Sequence, residues 1–396
     1  MPFKIKIATI LPYKENYTFK KAAAASLWVS DFYKYSKYKK TNFIFGSTDT
    51  KDYLSKNYIN IQIDKNSKFT SSTKEYCDFL IKKIQDKKYE IIEVHNRPQV
   101  FTYLENKMKS KYIIYFHNDP LSMGGSKTVK ERLNLVKKAN KIIFITKWVQ
   151  KRFFKDLDEK LINKTEIVYH SISSDKKIHK KDKKITFVGK LNKSKGYDIY
   201  GSAIIKILNE FNDWKAYSIG DEKRNKPIFK HERHFDLGYR SHNYVLKFLQ
   251  KSEIAVIPSR WEEPFGRTAL EASSRACATI ISNRGGLPET TDHCIILKKL
   301  DSRNLYLAVK KLITNKKLRT LLQKGGFSNV KHLVEDNAKL IDDIRAELVT
   351  NYKVNISKNQ LRIMNIHNLG QKLNHRLYNI SLGKKFTNGF IRNNHD

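Results

Sequence analysis

Cysteine is nearly absent from this chain: Cys77, Cys277 and Cys294 lie far apart and no CxxC pair occurs. Three isolated cysteines build neither a disulfide framework nor a zinc cage, and they fit a reducing compartment. Acidic residues are also scarce, 39 against 77 lysines and arginines, which leaves a formal charge of +38. Long apolar runs are missing as well, and none approaches the roughly 20 residues needed to cross a bilayer. The first residues alternate lysine with apolar side chains, so they read as a buried strand and not as a signal peptide. From these absences a cytoplasmic protein is expected, peripheral at the inner membrane face where it meets a membrane.

What is present begins with size. A chain of 396 residues exceeds one typical domain core and splits into two. Hydrophobic residues make up 40%, enough for ordinary packing, so wholesale disorder is excluded. The positive charge attracts polyanions: nucleic acid, acidic lipid head groups or phosphorylated glycans. A compositional bias toward Lys, Asn and Ile would also raise the lysine count, and charge alone does not choose the partner.

Short runs rich in Ile, Val, Phe and Tyr recur at 4–11, 42–46, 89–95, 112–117, 141–146 and 166–171. They return at 185–189, 215–220, 234–238, 254–258, 279–282 and 294–297. Between them, stretches such as 74–87 and 127–138 carry apolar residues at helical spacing. This alternation predicts an α/β protein with two parallel sheets, each covered by helices on both faces. The highly charged run 174–184 reads as the linker. Domains are expected at 1–178 and 179–345, followed by a helical tail at 346–396 that returns to the first domain or lies as a basic segment on a membrane. In open α/β sheets, ligands bind at the carboxyl ends of the strands, so the chemistry belongs in the cleft between the two domains.

The segment from Ile257 to Ala272 is the most informative. A buried strand ends at Pro258, a loop follows, and a helix starts near Phe265 or Gly266. Free N–H groups at that start form an anion site, and Gly266 lets the backbone approach a phosphate closely. Glu263 and Glu271 are eight residues apart, and a carboxylate on the inner face can accept two hydroxyls of a ribose. The plainer alternative is a helix start with favourable acidic residues and a solvated glutamate.

Glu263-Pro264-Phe265-Gly266 with Leu270-Glu271-Ala272 resembles the Glu-x7-Glu motif of glycosyltransferase family 4, the retaining enzymes of the GT-B fold. Asn283-Arg284-Gly285-Gly286-Leu287-Pro288-Glu289 is similar to the family's G-G-x-P-E turn. Phe187-Val188-Gly189-Lys190-Leu191 with Lys195-Gly196 is similar to its F-V-G-R-L…K-G segment, and Phe235–Tyr239 to its F-L-G-x turn near the donor base. The resemblance implies that Glu271 binds the donor ribose and that Glu263 lies near the transferred sugar. The backbone at Phe265, Gly266 and Arg267 would cradle the distal phosphate. Gly189 would admit the pyrophosphate, and Lys190 and Lys195 would neutralise it as the leaving group gains charge.

Lys190 replaces the family's usual arginine, keeping the charge but losing the planar fork. No glycine occurs between Pro12 and Gly46, where many relatives have glycines after the first strand. In the first domain His95-Asn96-Arg97 and His117-Asn118-Asp119 end predicted strands. Either histidine could be structural. His117 is similar in position to the family histidine that reaches the donor sugar, and His95 and Arg97 are candidates for acceptor or donor contact.

The implied activity is retaining transfer of a hexose-type sugar from a nucleotide-sugar, with a UDP-sugar as donor and no cofactor. Positive charge and membrane proximity point to an anionic glycan or lipid-linked acceptor, as in lipopolysaccharide-core assembly. No metal is expected, since Asp156-Leu157-Asp158 falls in a lysine-rich, solvated stretch. Alternatives are a GT-B sugar-nucleotide epimerase, a soluble-acceptor transferase, or a basic nucleic-acid-binding protein. The last lacks zinc-finger spacing, an aromatic RNA-binding motif or a basic stripe on one helix, so nucleic acid is not an expected partner.

Overall fold

The computed structural model describes residues 5–20, 22–63, 72–173 and 175–350. Met1–Thr350 form one compact unit, and of the tail expected at 346–396, residues 351–396 lie outside the described residues.

Two parallel sheets carry the fold. The first contains β1 (Ile7–Ile10), β2 (Asn42–Gly46), β3 (Tyr58–Asn60), β4 (Ile91–His95), β5 (Lys111–Phe116), β6 (Lys141–Phe144) and β7 (Thr165–Ile167). Their order is β3-β2-β1-β4-β5-β6-β7. The second sheet contains β8 (Asp182–Val188), β9 (Lys215–Ile219), β10 (His234–Asp236), β11 (Ser252–Ile257), β12 (Ala278–Ser282) and β13 (Cys294–Leu297). These run in the order β10-β9-β8-β11-β12-β13. In each sheet the strand order reverses beside the first strand of that half, and a crevice opens at that point. The α/β expectation with two doubly wound sheets therefore holds, and the architecture is the GT-B fold.

The strands read as near-continuous apolar runs because helices cover both faces of each sheet. β1 and β12, for example, are buried at every position. Helix starts are marked by capping side chains. Thr128 and Glu131 form a reciprocal capping box before the helix Val129–Lys138. Strand β3 was not foreseen, since its three residues carry too little pattern to separate from a loop. The charged run read as linker forms no helix or strand from 175 to 181, but its last residues already belong to β8. Asp182 and Lys183 are exposed there, although Asp182 is already paired with Ser252 of β11.

The helix Val334–Thr350 follows the second sheet in sequence but packs on the helix Ala24–Tyr35 of the first. The sequence boundary at 345 had grouped most of it with the second domain. Its apolar residues Ala338, Ile341 and Ile344 instead complete a core with Ile7, Trp28, Phe32 and Tyr115. The reason is a buried charge. Arg345 places its guanidinium in a bidentate pair with Glu93 on β4, at 2.8 and 2.7 Å.

Candidate active site

On the second domain, the loops after β8 and β11 meet. Gly189 follows β8 and donates its N–H to Ile219 O at 3.0 Å. Lys190 stays exposed at the mouth. Lys195 sits on a short turn of helix, Lys193–Lys195, capped by Asn192. Its ammonium donates to Glu263 Oε1 at 2.5 Å and lies 4.4 Å from the centre of the Trp261 ring. The backbone N–H groups of Arg260 and Trp261 donate to Ser194 O at 2.9 and 3.0 Å, which stitches the two loops together. Of the two lysines expected on the pyrophosphate, the structure brings Lys195 to the glutamate and leaves Lys190 at the rim.

Glu263 is held from behind by the G-G-x-P-E turn. Gly286 N donates to Glu263 O at 2.7 Å, and a Cβ on Gly285 would lie 2.2 Å from that same carbonyl. With φ at +58°, Gly285 occupies a backbone region and a space that no other residue fits. Glu263 is 7% exposed and so keeps a narrow opening into the cleft.

Phe265 is buried, and Gly266 adopts the left-handed conformation before the helix Arg267–Ser273. No side chain caps this helix, so its first N–H groups remain available. Glu271 lies one turn further and is 4% exposed. Its Oε1 accepts from Arg267 Nε at 2.7 Å and is also in hydrogen-bond contact with His242 Nε2 at 2.8 Å. Burial alone would raise the pKa of this carboxyl. The hydrogen bonds and charges of His242 and Arg267 outweigh it and hold the value at about 2. Both hydrogen bonds end on Oε1, which leaves Oε2 to receive a diol. Arg267 also reaches across to the first domain, with Nη2 3.0 Å from Asp31 Oδ2 on the helix Ala24–Tyr35.

On the first domain, His95 closes β4 and His117 follows β5. Their rings meet, with His95 Nδ1 2.9 Å from His117 Nε2. A third histidine, His170, comes after β7 and places its Nε2 3.5 Å from His117 Nδ1. Trp28 covers all three rings edge-on. His170 stacks in turn on Phe265 of the second domain, with ring centres 5.5 Å apart. Burial pushes His95 down to about 3, with the charge of Arg345 adding to the effect. Burial also holds His117 and His170 well below the ordinary imidazole value. All three are neutral at physiological pH. Arg97 is exposed and turned back on Asn96 O, away from the histidine row.

The domains are joined beside this site. Glu289 accepts the backbone N–H groups of Lys147 and Trp148 at 2.8 and 2.9 Å, and the Tyr169 hydroxyl at 3.0 Å. Thr146 caps the helix Lys147–Phe153 and donates its hydroxyl to Pro264 O at 2.8 Å. At the far rim, the Tyr239 hydroxyl, beyond the F-L-G-x turn, donates to Lys20 O at 2.9 Å.

Sequence reasoning missed Asp31, His170 and His242. His170 carried a usable signal, a third histidine at the end of a predicted strand. Asp31 and His242 carried none, because each acts through a partner more than twenty residues distant. Half-buried Glu15, in the glycine-free loop after β1, is another. Burial raises its pKa, while Ser26 N–H and the charge of Arg97 pull it back. Asp158 caps the turn Glu159–Lys164. Among the described residues no group of three or more His, Cys, Asp or Glu could hold a metal ion.

Residues 169–328 match the glycosyl transferases group 1 family. Over that stretch the chain is similar to the group 1 glycosyltransferases, and its two parallel-sheet domains have the GT-B fold. YtcC of Bacillus subtilis strain 168, assigned as a glycosyltransferase by inference, is 25% identical over 301 residues, which cover 65% of this chain and 72% of YtcC. Among solved structures, Anabaena HepE in complex with UDP-glucose superposes with a TM-score of 0.69 at 14% identity, over 87% of this chain and 100% of its own. WaaG, a glycosyltransferase involved in lipopolysaccharide biosynthesis, superposes with a TM-score of 0.61 at 13% identity, over 85% and 99%.

Proposed function

We propose that this enzyme transfers a hexose-type sugar, with retention, from a UDP-sugar to a surface-glycan or lipid-linked acceptor at the cytoplasmic membrane face. The observation that carries the donor assignment is the pairing of two carboxylates on one cleft wall. Glu263 is held by Lys195, and Glu271 is held ionised with Oε2 free. In this reading Glu271 receives the ribose diol and Lys195 moves from Glu263 onto the diphosphate. Glu263 is thereby released to the hydroxyls of the transferred sugar. The acceptor oxygen bonds to the anomeric carbon as the bond to the distal phosphate breaks. The acceptor proton passes to the leaving phosphate on the same face. Positive charge at Lys195, Lys190 and the start of the helix Arg267–Ser273 stabilises that leaving group. The UDP and UDP-glucose bound by HepE support the choice of base, and the role of WaaG supports the choice of acceptor class.

Calorimetry with UDP, GDP and ADP tests the donor site. One of the three, expected to be UDP, binds the wild type, and Glu271→Ala weakens it by at least tenfold, the loss of a charge-assisted hydrogen-bond pair. Equal binding by wild type and variant would remove the ribose assignment. For the acceptor side, the net charge of +38 leads to an expectation of sedimentation with vesicles containing phosphatidylglycerol but not with neutral vesicles, lost as salt is raised. Failure to sediment at low salt would sink the membrane-face assignment.

A further inference from the structure

The histidine row is oriented in a way that changes which ring faces the donor. Both nitrogens of His117 are taken, Nε2 by His95 and Nδ1 by His170. Two nitrogens in the row have no partner at all: His95 Nε2 at one end and His170 Nδ1 at the other. His170 is 3% exposed, so its free Nδ1 is a buried polar atom left without a hydrogen bond. Such an atom costs stability unless something fills its site.

A second orphan lies beside it. Arg267 spends Nε on Glu271 and Nη2 on Asp31, while its buried Nη1 has no partner. His170 lies within reach of the charges of both Arg267 and Glu271, and its ring stacks on Phe265, two residues before Arg267. One orphan comes from the first domain and one from the second, and the stacking of His170 on Phe265 brings the two segments that carry them together.

We propose that His170 Nδ1 and Arg267 Nη1 together form a subsite for an oxygen of the donor's distal phosphate, with His117 as the support that orients His170. This rests on the transferase reading above. The guanidinium already pairs with Glu271 and Asp31, but its Nη1 N–H still lacks an acceptor and calls for a further oxygen, which the donor's distal phosphate can supply. The hydrogen-bond sense of the row agrees. If each imidazole donates in the same direction, His95 Nδ1–H gives to His117 Nε2 and His117 Nδ1–H gives to His170 Nε2. The row then ends in a free N–H on His170, which an anion accepts. The reverse sense would end in a lone pair facing the phosphate. Arg267 also supplies the planar guanidinium that Lys190 lacks, one turn before the ribose carboxylate on the same helix.

The two amide substitutions at position 170 separate this role from simple packing. Asparagine places a polar group where Nδ1 stood and abandons His117. Glutamine places one where Nε2 stood and keeps His117 but empties the Nδ1 position. The measurement is calorimetric affinity for whichever of UDP, GDP and ADP the wild type binds, and for its monophosphate. His170→Gln is expected to weaken the diphosphate about tenfold with the monophosphate unchanged, and His170→Asn to stay close to wild type for both. Any other pattern overturns the subsite: both variants unchanged, both weakened, or only His170→Asn weakened. A wild type that binds no nucleoside diphosphate overturns the transferase reading and this subsite with it. Thermal midpoints of both variants, expected to lie near wild type, show that the comparison is made on folded protein.

Discussion

Replacing Arg345 by methionine is expected to destabilise the protein by about 3–5 kcal/mol, the loss that follows when one partner of a buried ion pair is removed. Arg345 is 4% exposed and Glu93 1%. The guanidinium makes two bonds to Glu93 and a third to Asp342 Oδ1 at 2.9 Å. Glu93 also accepts the hydroxyls of Thr9 and Tyr115, each at 3.0 Å, and Asp342 accepts Ser36 Oγ and Lys37 N. Without the arginine, two carboxylates stay buried with only neutral donors. Glu93→Met combined with Arg345→Met should recover a good part of the loss, because no unpaired charge then faces the arginine site on β4. Urea denaturation of the single and double variants reads this directly. A single variant within 1 kcal/mol of wild type would mean that the network is solvated in solution. The effect should extend to the site: Tyr115, bonded to Glu93, stacks on His95 with ring centres 4.2 Å apart.

The parts of this molecule visible in the sequence are those in which a local pattern reports a local structure. Apolar runs marked twelve of the thirteen strands among the described residues because strands buried on both faces need no partner information to be recognised. The Glu-x7-Glu segment was legible for the same reason: Gly266, Arg267 and Glu271 are placed by one loop and one short helix. Lys195 and Glu263 could be named separately but not as a pair, since their contact joins loops 68 residues apart. What the pattern could not show was the other end of each long-range bond. Arg345 reads as one more cation on an amphipathic helix, yet its partner lies 252 residues earlier on β4. Asp31 reads as a solvated helix residue, yet it takes Arg267 from 236 residues away. The histidines were individually ambiguous between structural and catalytic roles. Only the fold reveals that three strand ends converge and that the middle ring has no nitrogen left to offer.

That convergence makes the protein sensitive to mild acid. His95, His117 and His170 are packed as neutral rings under Trp28, with folded pKa values pushed down, to about 3 for His95. In the unfolded chain each would titrate near its ordinary value of about 6.5. Above that value neither state is protonated, and the rings contribute their full packing. Below it, the unfolded chain takes up protons that the folded chain refuses, so stability falls as pH falls. Each such histidine contributes a slope of about 1.4 kcal/mol per pH unit, or roughly 4 for the three together. His234 and His332, both lowered to about 4 by burial, add to the slope until those values are reached. Against a total stability of about 5–15 kcal/mol for a typical domain, two pH units are enough to open the interface between the domains or unfold it. The urea midpoint should therefore drop steeply between pH 7 and pH 5, well before most carboxylates titrate. His117→Asn and His170→Asn should each flatten the curve by about one third of the row's contribution. A midpoint constant over that range would show that the three rings are hydrated in solution and that Trp28 does not seal them.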